Sequence, residues 1–490
     1  MRGLPLLLTT AMLLAPTSAR ASGFYLADVG TRGMARAGAF VAAPDSLLAV
    51  HYNPAALSLL KGLQFTADLQ LVNLDMRYER KCPCLPSSNP NAAAEDAALE
   101  EIFDKNPAEA NTVLAIPYLS VGYGLPFLDL TIALAAWGPT SGRHNWGELP
   151  NAAAPSFLDA SRREVTRYSG LEMRTLEANF GLGFGLRPLP DLVPGLRLGA
   201  SILGYQSGNR QTLSIFANVA VPGAESPDRD VPAVLDFLMP FGLNWQLGAS
   251  YEIIPGLTLG TSYRGKRSFT TDGTLTADLP ASLQGVASVE GNNIEVSLAT
   301  APIWRAGLEY RLPGVARVEG AFVWEGWSAH NQVTITSKDI AIVVNGMSVP
   351  LPPIPVPREW QDSWSLRLGG ELNLLEPLLG VQAGYYFEPT AVPQERMDPS
   401  RVDLDKHGFS LGLSTTFFGA TLSVSGQYVI LSGVEVRNGV RTQIAPFVDA
   451  AGNTVNPEVI TVVNNGNYSG QYFIGSASLS FALDPLLGAL

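Results

Sequence analysis

The chain has 490 residues and a formal net charge of -12, with 44 acidic side chains against 32 Lys and Arg. This balance argues against a nucleic-acid-binding protein, which would need an excess of Lys and Arg to neutralise phosphates. Charged residues make up only 16% of the chain and glycines number 48, which suits a protein with two contrasting faces better than a soluble enzyme of this size.

Residues 1–21 have the pattern of a secretory signal peptide. Arg2 forms a short positive region, residues 4–15 are largely apolar, and Ala19-Arg20-Ala21 is a small-x-small cleavage site. The apolar part is too short for a transmembrane helix, and no later stretch has 18 consecutive apolar residues. The sequence therefore predicts an exported protein and excludes a helical membrane protein.

Residues 22–61 do not alternate between apolar and polar side chains. They contain several glycines, among them Gly33 and Gly38, and the turn-forming run Tyr52-Asn53-Pro54. A segment of this size cannot bury much core by itself. We therefore expect it to pack inside a larger structure.

From residue 63 onward the chain alternates in long runs. Every odd position of 243–251 is apolar and every even one is small or polar; 63–71 and 473–483 alternate in a similar way, and 365–374 alternates with its apolar residues mostly at even positions. Because successive side chains of a strand point to opposite faces, each run has one apolar and one polar wall. Runs of about nine to eleven residues exceed the usual strand of a soluble sandwich and match a tilted membrane strand.

About fourteen such segments lie between turn signals, an even number as in bacterial barrels. They begin near Leu63, Val113, Leu130, Glu172, Leu196, Leu243, Leu257, Ile303, Val315, Ser363, Val381, His407, Ala420 and Gln471. Only a closed barrel crosses lipid with every strand paired. The sequence predicts an all-β protein: a transmembrane antiparallel β-barrel over 62–483, a hatch (residues 22–61) plugging its lumen, and a short extension at 484–490.

Short and long connections alternate along the chain. The short ones, expected at the periplasmic end, are 126–129, 188–195, 255–256, 313–314 and 418–419. The long ones, expected outside the cell, are 81–112, 138–171, 206–242, 271–301, 328–362, 389–406 and 431–469. Within them, 92–110 is rich in Ala and Glu and predicts a helix, and 349–357 alternates Pro with apolar residues and predicts extended chain.

Cys82 and Cys84 are the two cysteines of the chain. They predict a local disulfide or a pair of thiols that pins a loop in an oxidising compartment. A metal or redox site would need more ligands, and no histidine is near in sequence. We therefore expect no metal and no cofactor.

The non-alternating segment contains the runs Ser22-Gly23-Phe24, residues 33–39 and Asn53-Pro54-Ala55-Ala56-Leu57. They resemble the hatch of the FadL/TodX outer-membrane transporters of long-chain fatty acids and aromatic hydrocarbons. Residues 360–371 and 383–393 resemble its late-strand signature, which 402–406 continues with Val402 and Lys406 as departures. A further departure is the extension 484–490, because family members usually stop at a terminal aromatic residue.

The resemblance implies a fourteen-stranded barrel, a lumen hatch and a gap in the wall at a kinked third strand. It implies hatch or gate roles for Gly33, Gly38, Asn53, Pro54 and Ala55, and ligand contact for Phe24. The third strand runs from Leu130 into Gly138-Pro139, and a proline cannot donate to the ladder, so a kink or lateral opening is independently expected there.

Enzyme signatures are missing from the sequence. Neither Gly-x-Ser-x-Gly nor His-Glu-x-x-His occurs, and we expect no catalytic residues. The run from Asp403 to Gly408 imitates the start of a calcium loop, but His407 and Ser414 occupy ligand positions, which argues against calcium. His51 is expected to be a hydrogen-bonded hatch residue.

Five arginines are expected to face the lumen: Arg174, Arg197, Arg264, Arg305 and Arg367. They either draw a fatty-acid carboxylate inward or pair with lumen acids such as Glu177, Glu309 and Glu371.

The function predicted from these features is passive transport of hydrophobic small molecules across the outer membrane of a Gram-negative bacterium, with hatch-gated lateral release at the third strand. Expected partners are outer-membrane lipids, lipopolysaccharide and the assembly machinery, with the protein a monomer that binds no nucleic acid. The alternatives are a surface adhesin or structural barrel, and a barrel hydrolase.

Overall fold

The computed structural model describes residues 28–84, 91–104, 107–125, 129–138, 143–146, 165–216, 230–279, 284–285, 287–344, 346–375, 378–442 and 462–483. The predicted signal peptide, Phe24, Pro139 and the extension 484–490 lie outside these residues.

The described part of the chain is mostly β-strand. In chain order the strands are β1 (Gly62–Arg80), β2 (Ala108–Gly124), β3 (Leu130–Trp137), β4 (Arg143–Asn145), β5 (Glu172–Leu186), β6 (Leu196–Phe216), β7 (Asp230–Ile254), β8 (Leu257–Arg264), β9 (Arg267–Ala277), β10 (Ala287–Glu290), β11 (Asn293–Thr300), β12 (Ile303–Leu312), β13 (Ala316–Glu325), β14 (Gln332–Ser337), β15 (Ala341–Val344), β16 (Met347–Pro350), β17 (Ile354–Pro357), β18 (Ser363–Leu375), β19 (Leu379–Glu388), β20 (Lys406–Phe417), β21 (Ala420–Val436) and β22 (Gly466–Ala482).

Fourteen of these strands form one closed antiparallel barrel. The wall runs β1, β2, β3, β5, β6, β7, β8, β12, β13, β18, β19, β20, β21 and β22, with each strand paired to the next. The ring closes because β22 pairs with β1 from Ala482 opposite Gln64 to Gly466 opposite Arg80. The predicted fold class is confirmed.

The alternation has the predicted effect on the two faces of the wall. In β7 the Leu247 side chain is 55% exposed on the outer face, while Gln246 is 0% exposed on the inner face. Leu366 and Leu368 are likewise exposed, whereas the alternating Ser365 and Arg367 are buried. The apolar side chains that a soluble protein would bury therefore face the bilayer, and the polar ones face the lumen.

Several long connections predicted as loops are strands instead, and here the prediction was wrong. β6 continues to Phe216 and β7 begins at Asp230, within the predicted loop 206–242. The outer half of β7 also pairs with β9, and the sheet continues outward through β11, β14 and β17. β10, β15 and β16 form a second small sheet. This outer sheet occupies much of the predicted loops 271–301 and 328–362.

A register shift explains why the alternating pattern does not predict the outer half of β7. The β6–β7 ladder skips between Tyr205 and Ser207, opposite Met239–Gly242. Below the shift the odd residues of β7 face lipid, whereas above it Ala233, Leu235 and Phe237 are buried. A one-residue slip exchanges the two faces of a strand, so a single alternating pattern does not continue through it.

Three short helices complete the described elements: α1 (Thr31–Ala35), α2 (Ala49–Tyr52) and α3 (Ala92–Asp104), with 3-10 turns at Pro54–Leu59, Trp327–His330 and Gln394–Arg396. The predicted helix over 92–110 is confirmed to Asp104, and its last residues belong to β2. No helix in the described ranges is long and apolar enough to cross a bilayer.

Candidate functional site

The described part of the hatch lies in the lumen, where it is hydrogen-bonded to polar side chains of the inner wall. Side chains of the wall donate to hatch carbonyls: Gln246 Nε2 to His51 O (3.0 Å), Ser262 Oγ to Tyr52 O (2.6 Å) and Ser201 Oγ to Val50 O (3.1 Å). These bonds satisfy backbone groups that a short segment cannot pair within itself. The wall thus presents hydrogen-bonding side chains to the hatch on its inner face and apolar side chains to lipid on its outer face.

Asn53 joins the hatch to the wall at its turn. Its Nδ2 donates to Val41 O (2.9 Å) within the hatch and to Ala249 O (3.2 Å) in β7. Its Oδ1 accepts from Ala55 N (3.2 Å) and so caps the 3-10 turn that begins with Pro54. Asn as cap with Pro in the first position is a favoured start for such a turn.

Gly33 and Gly38 are required by close contacts within the hatch. A Cβ on Gly33 would lie 2.4 Å from the Tyr52 hydroxyl, which is held by Val29 N and O. Gly38 has φ +73°, and a Cβ there would lie 2.1 Å from Arg367 Nη1. Both positions therefore exclude larger residues for structural reasons.

Glycines of the wall mark where the hatch backbone touches it. A Cβ on Gly199 would be 2.3 Å from Ala55 N, and one on Gly369 would be 2.2 Å from Arg36 O. The same close approach occurs at Gly185, Gly248, Gly260 and Gly384. The sequence analysis missed this set, although inward glycines in otherwise regular strands are a signal for close backbone approach.

A buried ion cluster ties the hatch to β12, β13 and β18. Arg36 binds Glu309 (2.9 Å) and Glu319 (3.2 Å), all three with nearly inaccessible side chains. Nearby, Arg317 bridges Asp45 of the hatch (3.0 Å) and Glu371 of the wall (2.9 Å). The predicted acids Glu309 and Glu371 are thus partners of arginines other than the five expected.

Those five arginines have different surroundings. Arg367 binds Asp28 (2.6 Å) and Glu388 (3.3 Å), and Arg264 donates to Gln246 Oε1 (3.0 Å) and lies 3.3 Å from His51 Nδ1. Arg197 contacts Glu252 (3.8 Å), and Arg305 is buried. Arg174 is exposed and does not face the lumen, because the outer part of β5 places Met173 inward instead.

The ladder between β2 and β3 ends at Trp137, next to the predicted kink at Gly138-Pro139. β3 ends at Trp137, and Gly138 N still donates to Pro117 O (2.8 Å) in β2. Beyond that bond β4 pairs with β5, while the described residues give no pairing between β4 and β2. Since the Pro117 carbonyl points toward the third strand, its nitrogen does too, and that nitrogen has no hydrogen to donate.

A large lumen cavity adjoins the end of the β2–β3 ladder and encloses about 1160 Å³ of empty space, part of it open to solvent. Its lining includes Trp137 of β3 and Glu177 of β5. It also includes the apolar side chains of Leu203, Phe237, Met239, Phe269, Leu298 and Trp327 and the cations Arg264, Arg267 and Arg401. A smaller cavity, about 430 Å³, lies near Asp28, between Ile116 and Lys406.

The outer motifs serve the structure of the loops. Cys82 and Cys84 form a disulfide, and their backbone N–H groups donate to Glu100 and Asp96 of α3, respectively. Asp403 and Asp405 are used in the same way, since Asp403 accepts from Ala391 N (2.8 Å) and Asp405 from Thr390 N (2.7 Å). The two late-signature runs, 383–393 and 402–406, therefore bind each other.

The comparisons with known proteins agree with this architecture. Residues 12–112 and 237–439 match the family model of the outer membrane protein transport protein (OMPP1/FadL/TodX). The chain is 24% identical over 459 residues to outer membrane protein P1 of Haemophilus influenzae, covering 88% of this chain and 90% of that protein.

Solved structures share the fold. A Pseudomonas aeruginosa FadL homologue superposes with a TM-score of 0.71 at 13% identity, covering 94% of this chain and 99% of that one. The P. putida toluene transporter TodX gives 0.61 at 14% identity, covering 93% and 99%. With the family model matching more than half of its length, the chain belongs to the OMPP1/FadL/TodX family of outer-membrane transport proteins and is a β-barrel of the Gram-negative outer membrane.

Proposed function

We propose that this protein takes up hydrophobic compounds, such as long-chain fatty acids or aromatic hydrocarbons, by passive transport and releases them sideways through the wall at the third strand. The observation that carries the proposal is the large cavity, which extends from the outer sheet to Trp137 and Glu177, where the β2–β3 ladder ends. A molecule held there would lie beside the stretch of wall at which β2 is no longer paired in a ladder with the third strand.

Burial of apolar surface supplies the driving force for capture. Each methylene transferred from water to an apolar wall contributes about 0.8 kcal/mol, which a water-filled pore would not provide. Arg264 and Arg267 line the same cavity and suit a carboxylate head group, since guanidinium groups bind carboxylates with two parallel hydrogen bonds. An acid with a long apolar chain would match both parts.

The hatch favours a sideways route over a straight one. Its anchors include the buried Arg36–Glu309–Glu319 cluster and the Arg317 bridge, and breaking them for every molecule transported would be costly. Movement confined to the hatch residues near the cavity, with release at Gly138-Pro139, avoids that cost. Phe24 is proposed to contact the ligand, and the barrel closes within one chain, which supports a monomer.

The test compares wild type, a deletion of 22–61 and Phe24→Ala in liposomes, with uptake of a fluorescent fatty acid and of toluene measured beside ion conductance. The deletion is expected to keep the heat-dependent gel mobility of a folded barrel, conduct small ions and lose selective uptake. Phe24→Ala is expected to weaken binding without raising conductance. A deletion variant that transports as selectively as wild type, at unchanged conductance, would contradict the proposal.

A further inference from the structure

His330 lies at the outer end of the large cavity and belongs to none of the motifs discussed above. It ends the 3-10 turn Trp327–His330 that follows β13, and its side chain lines the cavity. The residue is only 5% exposed. Its ring packs on Trp360, with centroids 4.8 Å apart, and on Trp327 at 6.3 Å. The ring is therefore held in one orientation by aromatic neighbours.

The hydrogen bond of one ring nitrogen determines the tautomer. His330 Nδ1 lies 2.7 Å from Ala299 O, and a carbonyl oxygen can only accept, so Nδ1 carries the hydrogen. Burial, together with the charges of Arg358 and Arg401, lowers the pKa of His330 to about 3. At neutral pH the ring is therefore uncharged, and Nε2 has a lone pair and no hydrogen.

That lone pair has no partner in the described part of the protein. His330 Nε2 is buried and accepts no hydrogen bond. Buried polar atoms are nearly always paired, so an acceptor at a cavity wall needs a donor inside the cavity, which is water when the cavity is empty and a group of the ligand when it is filled. A group that pairs with Nε2 must bring a hydrogen to donate.

We propose that this cavity selects hydrophobic ligands that carry a hydroxyl group, which donates its hydrogen to His330 Nε2. The inference rests on the proposed function, since it specifies the ligands of the same cavity. A carboxylate at neutral pH and a plain hydrocarbon both lack the required hydrogen. A hydroxyl has it, and its oxygen also suits the N–H groups of Arg401, which lines the same cavity.

The test uses three probes that differ only in the polar group: para-butylphenol, para-butylanisole and butylbenzene. Calorimetric titration of the purified full-length barrel is expected to show the phenol binding about tenfold more tightly than the anisole. His330→Phe keeps an aromatic ring and removes the acceptor. The ratio of the anisole dissociation constant to that of the phenol should therefore fall to about one. His330→Gln offers an amide oxygen and should retain part of it.

His407→Phe is the matched control, because His407 is bound to Tyr385 and does not line the cavity. Ratios between variants cancel the partition of each probe into detergent. Equal binding of phenol and anisole by wild type, or an unchanged preference in His330→Phe, would overturn the inference and leave the proposed function standing. If His330→Phe does not fold, the ratio of anisole to phenol dissociation constants of the wild-type protein tests the inference by itself. Failure of wild type to bind any probe would contradict the proposed function as well.

Discussion

The guanidinium of Arg36 in the hatch donates to the carboxylate of Glu319 in β13 at 3.2 Å, and both side chains are fully enclosed. The same carboxylate accepts from Val41 N (2.6 Å) and Ala42 N (3.1 Å). One wall residue thus receives three hydrogen bonds from the hatch. Its position makes it the natural place to test how firmly the hatch is held.

Glu319→Ala is expected to loosen the hatch and spare the barrel. Loss of one partner of a buried ion pair typically costs about 3–5 kcal/mol, and here the cost falls on hatch docking because Arg36 keeps Glu309. Single-channel recordings should show raised and fluctuating ion conductance with unchanged gel mobility of the folded form. Glu109→Ala, at an exposed position of β2, is the control. Conductance equal to that of the control would show that Glu319 does not anchor the hatch.

Leu247→Arg is expected to destabilise the barrel by about 2–4 kcal/mol, because the side chain lies mid-strand on the lipid face. Leu238→Arg, on the outer half of the same strand, should cost only about 0–1 kcal/mol, since the charge reaches water. Urea-dependent folding into lipid vesicles measures both. A similar loss of folding free energy at Leu247 and Leu238 would show that the bilayer does not cover the segment of β7 assigned to it.

Pro117→Ala is expected to slow release without weakening ligand binding. The alanine supplies a backbone N–H on the side of β2 that faces the third strand, so the ladder can extend beyond the bond from Gly138. Liposome uptake should fall while the dissociation constant stays constant. Pro313→Ala, in a short turn, controls for the general effect of losing a proline. Unchanged uptake in Pro117→Ala would contradict release of the ligand between β2 and the third strand.

Mild acid is expected to open the loop that carries His330. Burial, then Arg358 and Arg401, hold its pKa at about 3 in the folded state, below the ordinary 6.5. Unfolding therefore takes up a proton, so the stabilisation is complete above pH 6.5 and is lost progressively as the pH falls toward 3. After division by the intrinsic exchange rates, which themselves fall with the pH, the opening constant of 326–331 should rise over this range in wild type. His330→Gln cannot titrate, and an identical acid response in that variant would rule His330 out.

The orientation of the barrel is tested by labelling single added cysteines. Asn91 lies exposed in a long connection, and Phe418 is fully exposed in a short turn. Asn91→Cys should react with an impermeant reagent on intact cells, whereas Phe418→Cys should react only after permeabilisation. The reverse pattern would invert the predicted topology.

Local features of the sequence were enough to predict the barrel. Alternation such as that of Gln246 and Leu247 is a property of neighbouring residues, because strand geometry alone sends them to opposite faces. The end of the β2–β3 ladder beside Gly138 was also predictable, since a proline lacks its donor wherever it stands. The loop prediction is wrong for the outer half of β7, because a register shift near Met239 and Gly242 exchanges the two faces of the strand and interrupts its alternation.

The contacts that define the site depended on the tertiary structure. Arg36 meets Glu319 across 283 residues, and the free lone pair of His330 depends on the carbonyl of Ala299 and on the ring of Trp360, which hold the imidazole in place. No local pattern specifies which inward residue of a strand lies opposite which hatch residue, because that depends on barrel closure and register together. The sequence by itself determined a wall with an apolar outside and a polar inside, since each strand encodes its own two faces. Only the closed fold decided which polar side chains of the wall bind the hatch and left His330 Nε2 to a ligand. The physical reason is that contacts between residues distant in sequence depend on how the strands and the hatch pack in three dimensions.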